Sequence, residues 1–423
     1  MSESTVALIT IPFFMGAIGY ITNWTGVLML FYPVHFRGFR SKTIITIARK
    51  LPYRIQQIPG FMVGGIGWQG IVPSRASKVG SLAVDTGIAK LGTPSDFWAQ
   101  LEPEKMTEQI VAAMSDEIPE MVDRIMLREH PRLWTDLPPR VKQLVHSRVQ
   151  QSFPEIVSYV TDEIGRNIDQ LCDIKLMVIR RFDPELANRV FLDMGQRELT
   201  FIKNFGFFFG FLLGILVAAF THFVTFWWIL PILGVIVGYV TNWVALWMIY
   251  EPAQPHKIGP LRVQGLFIRR QHDVADVYAR IVADEILTMA NFRDEMLNGP
   301  RADRTRAVIE AAMLPAIDRA SGPARAAVRV AFGSKEYDAV SRSFAIAQVD
   351  EIMTPLGDPD FVRDRSGAIR KLIRERMRAM APEDFGEMLR TATRQDEWLL
   401  LLHGAVLGFA AGIVHLAIFK WIL

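Results

Sequence analysis

The sequence is poor in cysteine. It has a single cysteine, Cys172, among 423 residues, which excludes an intramolecular disulfide framework and a multi-thiolate metal site. The motifs HExxH, the P-loop and the serine nucleophile elbow do not occur. With 47 Lys and Arg against 44 Asp and Glu, the formal net charge is only +3, which gives no support for nucleic-acid binding. We therefore expect no catalytic residues, no metal, no cofactor and no nucleic-acid partner.

Charge itself is missing from three long stretches. Residues 6–32 and 205–250 contain no Asp, Glu, Lys or Arg, and residues 398–419 carry only two histidines. A bilayer-spanning helix needs about 20 apolar residues, so the first and last stretches each allow one helix and the middle stretch allows two. The sequence thus predicts an all-α integral membrane protein with four membrane helices, at residues 1–33, 205–224, 225–251 and 397–423.

The chain also repeats itself. The segment GYITNWTGVLMLFYP at 19–33 returns as GYVTNWVALWMIYEP at 238–252, and QGIVPSR at 69–75 returns as QGLFIRR at 264–270. Towards the ends of the halves, Glu198 aligns with Asp396. The repeat predicts two halves, each with a membrane helix, a polar region and a second membrane helix. Because the first helices of both halves run in the same direction, we expect parallel repeats with a pseudo-two-fold axis along the membrane normal.

The two polar regions, residues 34–204 and 252–396, are predicted to be mainly helical. Apolar residues recur every three or four positions between 104 and 125, which is typical of one helix face, and Pro119 is expected to kink that helix. The first half carries extra residues within 34–68, a Gly- and Pro-rich insertion. This insertion is either an interfacial or re-entrant segment or a plain connecting loop.

The distribution of Lys and Arg predicts the orientation. Cations cluster where each membrane helix meets a polar region, as at Arg37 and Arg40, at Arg197 and Lys203, and before the fourth helix. The opposite helix ends carry almost none. Under the positive-inside rule, both polar regions face the cytoplasm and both termini lie outside, in a multi-pass protein of the cytoplasmic membrane.

A polar motif lies inside the first and third membrane helices. The paired Thr-Asn-Trp segments comprise Thr22, Asn23, Trp24, Thr241, Asn242 and Trp243. An amide in hydrocarbon needs a hydrogen-bond partner. The two Asn side chains therefore contact each other, bond backbone groups as structural fasteners, or contact a ligand.

Two further sets of residues are candidates for packing and for lipid contact. Glycines spaced by four residues form ladders that let another helix approach closely, either within the chain or between subunits: Gly206, Gly210, Gly214, Gly404, Gly408 and Gly412. A basic amphipathic stretch before the fourth membrane helix offers contacts to anionic headgroups, through Arg370, Lys371, Arg374 and Arg378. The alternative is a solvated helix face that packs on its neighbour.

The combination of these motifs resembles a bacterial membrane-protein family. The paired GYxTNW segments, the two QG(I/L)xxxR stretches, DPEL at 183–186 and RELTFIKNFGFFFGFLLG at 197–214 look like the family called domain of unknown function 445. The resemblance covers essentially the whole chain. It implies an inner-membrane protein with helices at both ends and in the middle, and it supplies no catalytic residues.

Three functions fit these observations. The first is a non-enzymatic protein that binds or moves lipid or another apolar ligand at the cytoplasmic face of the membrane. The second is an oligomeric scaffold, assembled through the glycine ladders, that organises a membrane-protein partner. The third is a channel or transporter with Asn23 and Asn242 at a central site, which the lack of charged residues in the spans disfavours for ion coupling. Membrane lipids and further copies of the chain are the expected partners.

Overall fold

The computed structural model describes residues 3–422, except 44–45, 47–49, 63, 130, 224–225, 227, 259, 322–352, 354, 356–357 and 392–393. The first half contains α1 Glu3–Phe31, β1 Arg37–Arg40, α2 Tyr53–Gln56, α3 Pro59–Met62, β2 Gly65–Trp68, α4 Ile71–Ser74, α5 Ala76–Leu82, a π-helical turn Ala83–Ile88, α6 Ala89–Leu91, α7 Pro94–Gln100, α8 Pro103–Met114, α9 Ile118–Glu129, α10 Pro131–Asp136, α11 Pro139–Leu171, α12 Ile174–Arg181 and α13 Pro184–Phe223. The second half contains α14 Ile229–Tyr250, β3 His256–Ile258, β4 Leu261–Val263, α15 Leu266–Arg269, α16 Gln271–Ile281, a π-helical turn Val282–Ile286, α17 Met289–Asn298, α18 Ala302–Ser321, α19 Pro359–Ala379, α20 Pro382–Thr391, a 3₁₀ turn Arg394–Asp396 and α21 Glu397–Ile422.

Four helices, α1, α13, α14 and α21, are long and apolar enough to cross a membrane. This confirms the predicted helical membrane protein with four candidate spans. The sequence predicts that the second membrane helix begins at residue 205. In the structure, α13 instead runs from Pro184 to Phe223 without interruption. Its polar first half and apolar second half form one helix, since no proline or glycine cluster separates them. The sequence predicts a tight turn near Thr221 and His222, and this is wrong, because both residues lie within α13, which ends at Phe223.

The four long helices form two antiparallel pairs. α1 packs along α13 and α14 packs along α21, while α1 also contacts α21 and α13 contacts α14. α1 and α14 run in the same direction. Ile11, Met15, Val217 and Val237 form a buried apolar cluster among the helices, whereas side chains such as Phe208 point outwards and are exposed.

Two short antiparallel hairpins are additions that the sequence did not predict. β1 pairs with β2, and β3 pairs with β4. The first hairpin encloses residues 41–64, whereas the second encloses only residues 259–260, so the Gly- and Pro-rich insertion lies inside a hairpin. Strands of three or four residues are too short to show an alternating pattern, which is why they escaped notice.

The apolar stripe between 104 and 125 belongs to two helices. All six of its residues are buried, namely Met106, Ile110, Met114, Ile118, Met121 and Ile125. However, α8 ends at Met114 and α9 begins at Ile118. The expected kink at Pro119 is therefore wrong. Proline is well tolerated in the first turn of a helix, where its missing N–H has no helical partner to lose, so Pro119 stands near the start of a new helix.

The chain divides into two compact units, and each unit takes segments from both halves. One unit comprises residues 1–87, 182–278 and 376–423, which include the four long helices and both hairpins. The other comprises residues 88–181 and 279–375. In this second unit α11 packs against α18, α8 and α7, around buried residues such as Val157 and Val160. Residues 322–352 of the predicted second polar region lie outside the described residues.

Candidate functional site

The two motif asparagines each fasten one helix pair. Asn23 Nδ2 donates to the carbonyl oxygen of Ile202 at 2.6 Å, which joins α1 to α13. Asn242 Nδ2 donates to the carbonyl oxygen of Leu400 at 2.6 Å, which joins α14 to α21. Ile202 and Leu400 are aligned by the same offset that aligns Glu198 with Asp396. These bonds favour the interpretation of the motif as a structural fastener.

The neighbours of each asparagine point in opposite directions. Thr22 and Thr241 are buried, and both line a narrow gap between the helix pairs, whose empty volume of about 280 Å³ includes space open to the exterior. Trp24 and Trp243 are about half exposed, on the outer surface of the helices. Each motif therefore presents its polar residues to the interior of the helix bundle and its tryptophan ring to the outer surface. The amphipathic tryptophan ring is common where a membrane protein meets the lipid interface.

The glycine ladders pack within the chain. A Cβ atom at Gly206 would collide with the carbonyl oxygen of Gly19, and one at Gly404 would meet the carbonyl oxygen of Gly238. The remaining ladder glycines are equally crowded, with Gly210 against Met15, Gly214 against Pro12, Gly408 against Gly234 and Gly412 against Pro231. Close backbone contact explains the absence of side chains at these positions. The sequence predicted that the ladders pack either within the chain or between subunits, and these contacts lie within the chain.

Three cavities follow one another along the four-helix bundle. The first is the gap lined by Thr22 and Thr241. A second, with an empty volume of about 360 Å³ that includes space open to the exterior, is lined by Asn23 and Asn242. A third, the polar-end pocket, has an empty volume of about 730 Å³, partly open to the exterior. The second cavity and the polar-end pocket share four lining residues, Leu30, Ile202, Leu246 and Leu400.

The polar-end pocket has mainly apolar walls contributed by both halves of the chain. The first half supplies Leu30, Phe31, Ile71, Val72, Arg75, Val79, Phe191, Gly195, Glu198, Leu199 and Ile202, and the second supplies Leu246, Ile249, Tyr250, Phe267, Asp396, Glu397 and Leu400. Concave apolar sites with a few polar groups are the usual form of a small-molecule site. The charged residues therefore decide what kind of ligand the pocket suits.

Two ion pairs cross between the halves at this pocket. Arg75 Nη2 lies 2.6 Å from Asp396 Oδ1, and both side chains are buried. Arg270 Nη1 lies 2.6 Å from Glu198 Oε1, where the carboxylate is buried and the guanidinium is about one quarter exposed. The similar segments 69–75 and 264–270 place Arg75 opposite Arg270, and the offset of 198 residues places Glu198 opposite Asp396. The two pairs are thus equivalent contacts. In one the first half supplies the arginine, and in the other the second half does.

Two residues that line the pocket each contain one polar atom without a hydrogen-bond partner. Glu198 Oε2 and Arg75 Nε are buried, and within the described part of the chain neither has a hydrogen-bond partner. Buried polar atoms are normally satisfied by protein, water or a ligand. A free acceptor and a free donor beside an apolar cavity suit a molecule with an apolar body and a hydroxyl-, amine- or acid-bearing head.

The basic residues predicted to contact headgroups are partly occupied by acidic neighbours. Arg370 Nη2 lies 2.6 Å from Asp284 Oδ1, and Arg378 Nη2 lies 2.7 Å from Asp276 Oδ2. Arg374 also has an interaction, and Lys371 is exposed. These ion pairs favour the alternative interpretation, in which this face of α19 packs on its neighbours.

The residues of the crossed ion pairs were missed as site residues by sequence reasoning. Their signal was present, because Glu198 and Asp396 are aligned and both QGxxxxR segments end in arginine. What the sequence could not supply was the pairing between halves, which requires the tertiary structure. Across the described residues, no group of three or more His, Cys, Asp or Glu is placed to hold a metal ion.

No family model, curated protein or solved structure matches this chain.

Proposed function

We propose that this protein is a non-enzymatic membrane protein that binds a lipid-like amphiphile in the polar-end pocket. The observation that carries the proposal is the combination of apolar walls with the two free polar atoms, Glu198 Oε2 and Arg75 Nε. An apolar chain would fill the pocket and extend towards the second cavity, which is lined by Asn23 and Asn242, while the head would meet the two polar atoms. Matching these buried atoms avoids the cost of leaving them unpaired.

The same proposal includes the arrangement in the membrane. We infer two parallel repeats related by a pseudo-two-fold axis, supported by the equivalent Asn hydrogen bonds and the crossed ion pairs. The placement of the polar-end pocket at the cytoplasmic side is supported by the Lys and Arg residues that follow α1 and α14. The bacterial inner membrane is the expected location, from the family resemblance described above.

The test is native mass spectrometry of the full chain purified in native nanodiscs without detergent. Leu199→Trp places a bulky ring in the pocket, whereas Leu212→Trp places the same ring on an exposed position of the same helix. We expect a specific lipid or other amphiphile to co-purify with the unmodified chain and with Leu212→Trp. It should be lost from Leu199→Trp. Equal occupancy in both variants, or bulk lipid alone in every sample, contradicts the proposal.

The series of cavities favours a transporter as a second candidate, in which the amphiphile moves along the bundle. Asn23 and Asn242 line the middle cavity, so Asn23→Leu combined with Asn242→Leu should slow movement of lipid between leaflets of reconstituted vesicles. An unchanged rate in the double variant argues against transport along this route. The scaffold hypothesis has less support, because the glycine ladders on which it depended are occupied within the chain.

A further inference from the structure

The two hairpins occupy equivalent places next to membrane helices. β1 begins six residues after α1 ends, and β3 begins six residues after α14 ends. Gly70 N donates to the carbonyl oxygen of Pro33 at 2.9 Å, and Gly265 N donates to that of Pro252 at 3.0 Å. These bonds hold the base of each hairpin next to the end of its helix. If α1 and α14 span a bilayer, the hairpins lie near its headgroups.

An equivalent side-chain hydrogen bond lies at the base of each hairpin. Gln69 Nε2 donates to the carbonyl oxygen of Val34 at 2.8 Å, and Gln264 Nε2 donates to that of Ala253 at 3.0 Å. Each hairpin is therefore fixed to its membrane helix by one backbone bond and one side-chain bond. A segment held in this way keeps a defined depth relative to the helix end.

The first hairpin exposes an apolar pair. Phe39 lies opposite Ile66 in the strand register, so their side chains share one face of the hairpin. Phe39 is 85% exposed and Ile66 is 66% exposed. In the second hairpin the equivalent backbone pair is Ile258 with Leu261. The apolar character of this pair is thus common to both hairpins in sequence.

The hairpins and their flanks carry charge of one sign. Residues 32–84 contain no Asp or Glu, although the whole chain has 44 such residues. Residues 252–272 likewise contain none. Among the described residues, the cations of the hairpins are Arg37, Arg40, Lys42, Lys50, Lys257 and Arg262. A cationic surface beside an apolar pair is complementary to anionic phospholipid, which offers phosphate groups above an apolar layer.

We propose that the two hairpins are lipid-binding elements that dip into the headgroup layer of an anionic membrane. The Phe39–Ile66 pair enters the boundary between headgroups and acyl chains, and Arg37 and Arg40 bind lipid phosphates. This surface is separate from the polar-end pocket, because none of these residues lines that pocket. The proposal therefore stands or falls independently of the amphiphile site.

The first arm of the test measures depth. In a Cys172→Ala background, Phe39→Cys is labelled with a fluorophore in nanodiscs of phosphatidylcholine and phosphatidylglycerol that contain a nitroxide-labelled lipid. Phe13→Cys, at an exposed position on α1, serves as the membrane-embedded reference. We expect quenching at Phe39→Cys to reach at least half of that at Phe13→Cys, with protection from aqueous iodide. Full iodide access without lipid quenching overturns the proposal.

The second arm measures charge recognition. Arg37→Gln with Arg40→Gln removes two exposed cations from the first hairpin, and Arg132→Gln with Arg140→Gln removes two exposed cations from α10 and α11. We expect the hairpin variant to lower the ratio of phosphatidylglycerol to phosphatidylcholine retained by the protein at least two-fold, and the matched control to leave it unchanged. An equal ratio in both variants overturns the proposed phosphate contact.

Discussion

The guanidinium of Arg75 donates to the carboxylate of Asp396 across 2.6 Å, and the two residues come from opposite halves of the chain. The Arg75 side chain is 7% exposed and that of Asp396 is 3% exposed. Arg75 also donates to the carbonyl oxygen of Gln57. An ion pair this deeply buried is sensitive to the removal of one partner, because the remaining charge has lost both water and its counter-ion.

Replacement of Arg75 by methionine should therefore lower stability strongly. We expect Arg75→Met to cost about 3–5 kcal/mol, measured by thermal unfolding in detergent. Adding Asp396→Leu should recover part of the loss, because it removes the stranded carboxylate. The control is Arg181→Met, whose pair with Asp294 is about 45% exposed on both sides and should contribute less than about 1 kcal/mol. Equal losses in Arg75→Met and Arg181→Met would contradict this account.

Two glycines of α1 should respond in opposite directions to the same methyl group. Gly19→Ala drives its Cβ into the carbonyl oxygen of Gly206, and such overpacking costs about 1–3 kcal/mol. A Cβ at Gly26 would lie 3.8 Å from His403 Nδ1, so Gly26→Ala should be neutral or gain about 0.5–1 kcal/mol from reduced chain entropy. The two melting temperatures, measured side by side, decide this prediction. A loss of similar size at both positions would show that the close helix approach is not the cause.

The asparagine fasteners should contribute little to stability individually. Asn23→Leu and Asn242→Leu each remove one bond to a backbone carbonyl, and interhelical bonds of this kind contribute about 0.6 kcal/mol on average. We expect small shifts in melting temperature that add in the double variant, since the bonds join different helix pairs. A loss of several kcal/mol in either single variant would indicate a larger role than fastening.

Cys172 should be unreactive in the folded protein. Burial raises the pKa of its thiol to about 12, and the residue is 2% exposed. Only the thiolate attacks alkylating reagents, and at pH 8 about one thiol in ten thousand is ionised at that pKa. We expect negligible modification by iodoacetamide under native conditions and complete modification after denaturation, as measured by intact mass. Rapid labelling of the native protein would contradict the buried position.

Glu295 should make stability depend on pH. Its side chain is 2% exposed, and burial raises its pKa above the usual 4.5 even though Arg180 beside it acts in the opposite direction. The folded state therefore holds a proton that the unfolded state releases, so stability falls as pH rises from 4.5 through the folded-state pKa. Glu295→Gln carries no such proton. As the pH rises from 4.5 through the folded-state pKa of Glu295, the melting temperature of the unmodified chain should fall relative to that of Glu295→Gln. A difference between the two that does not change with pH would oppose the prediction.

The sequence predicted those features that depend on local patterns. Charge-free runs located the four long helices, and the spacing of Gly206 and Gly404 with their neighbours predicted close helix packing. Features that depend on distant partners were not predictable. The spacing of Met114 and Ile118 fitted one continuous helix, and only the structure shows the break between them. Likewise, no local signal indicated that Arg75 would pair with Asp396, which lies 321 positions away.

The crossed ion pairs bear on the origin of the internal repeat that we propose from the sequence. A half-length chain would hold one arginine and one carboxylate of this set, and in the present geometry each arginine reaches the carboxylate of the other half. A lone ancestral half would have left both charges unpaired, whereas two identical copies would have satisfied each other. Symmetric self-complementary contacts are what a two-fold homodimer uses. Gene fusion would then have joined two subunits that already depended on one another.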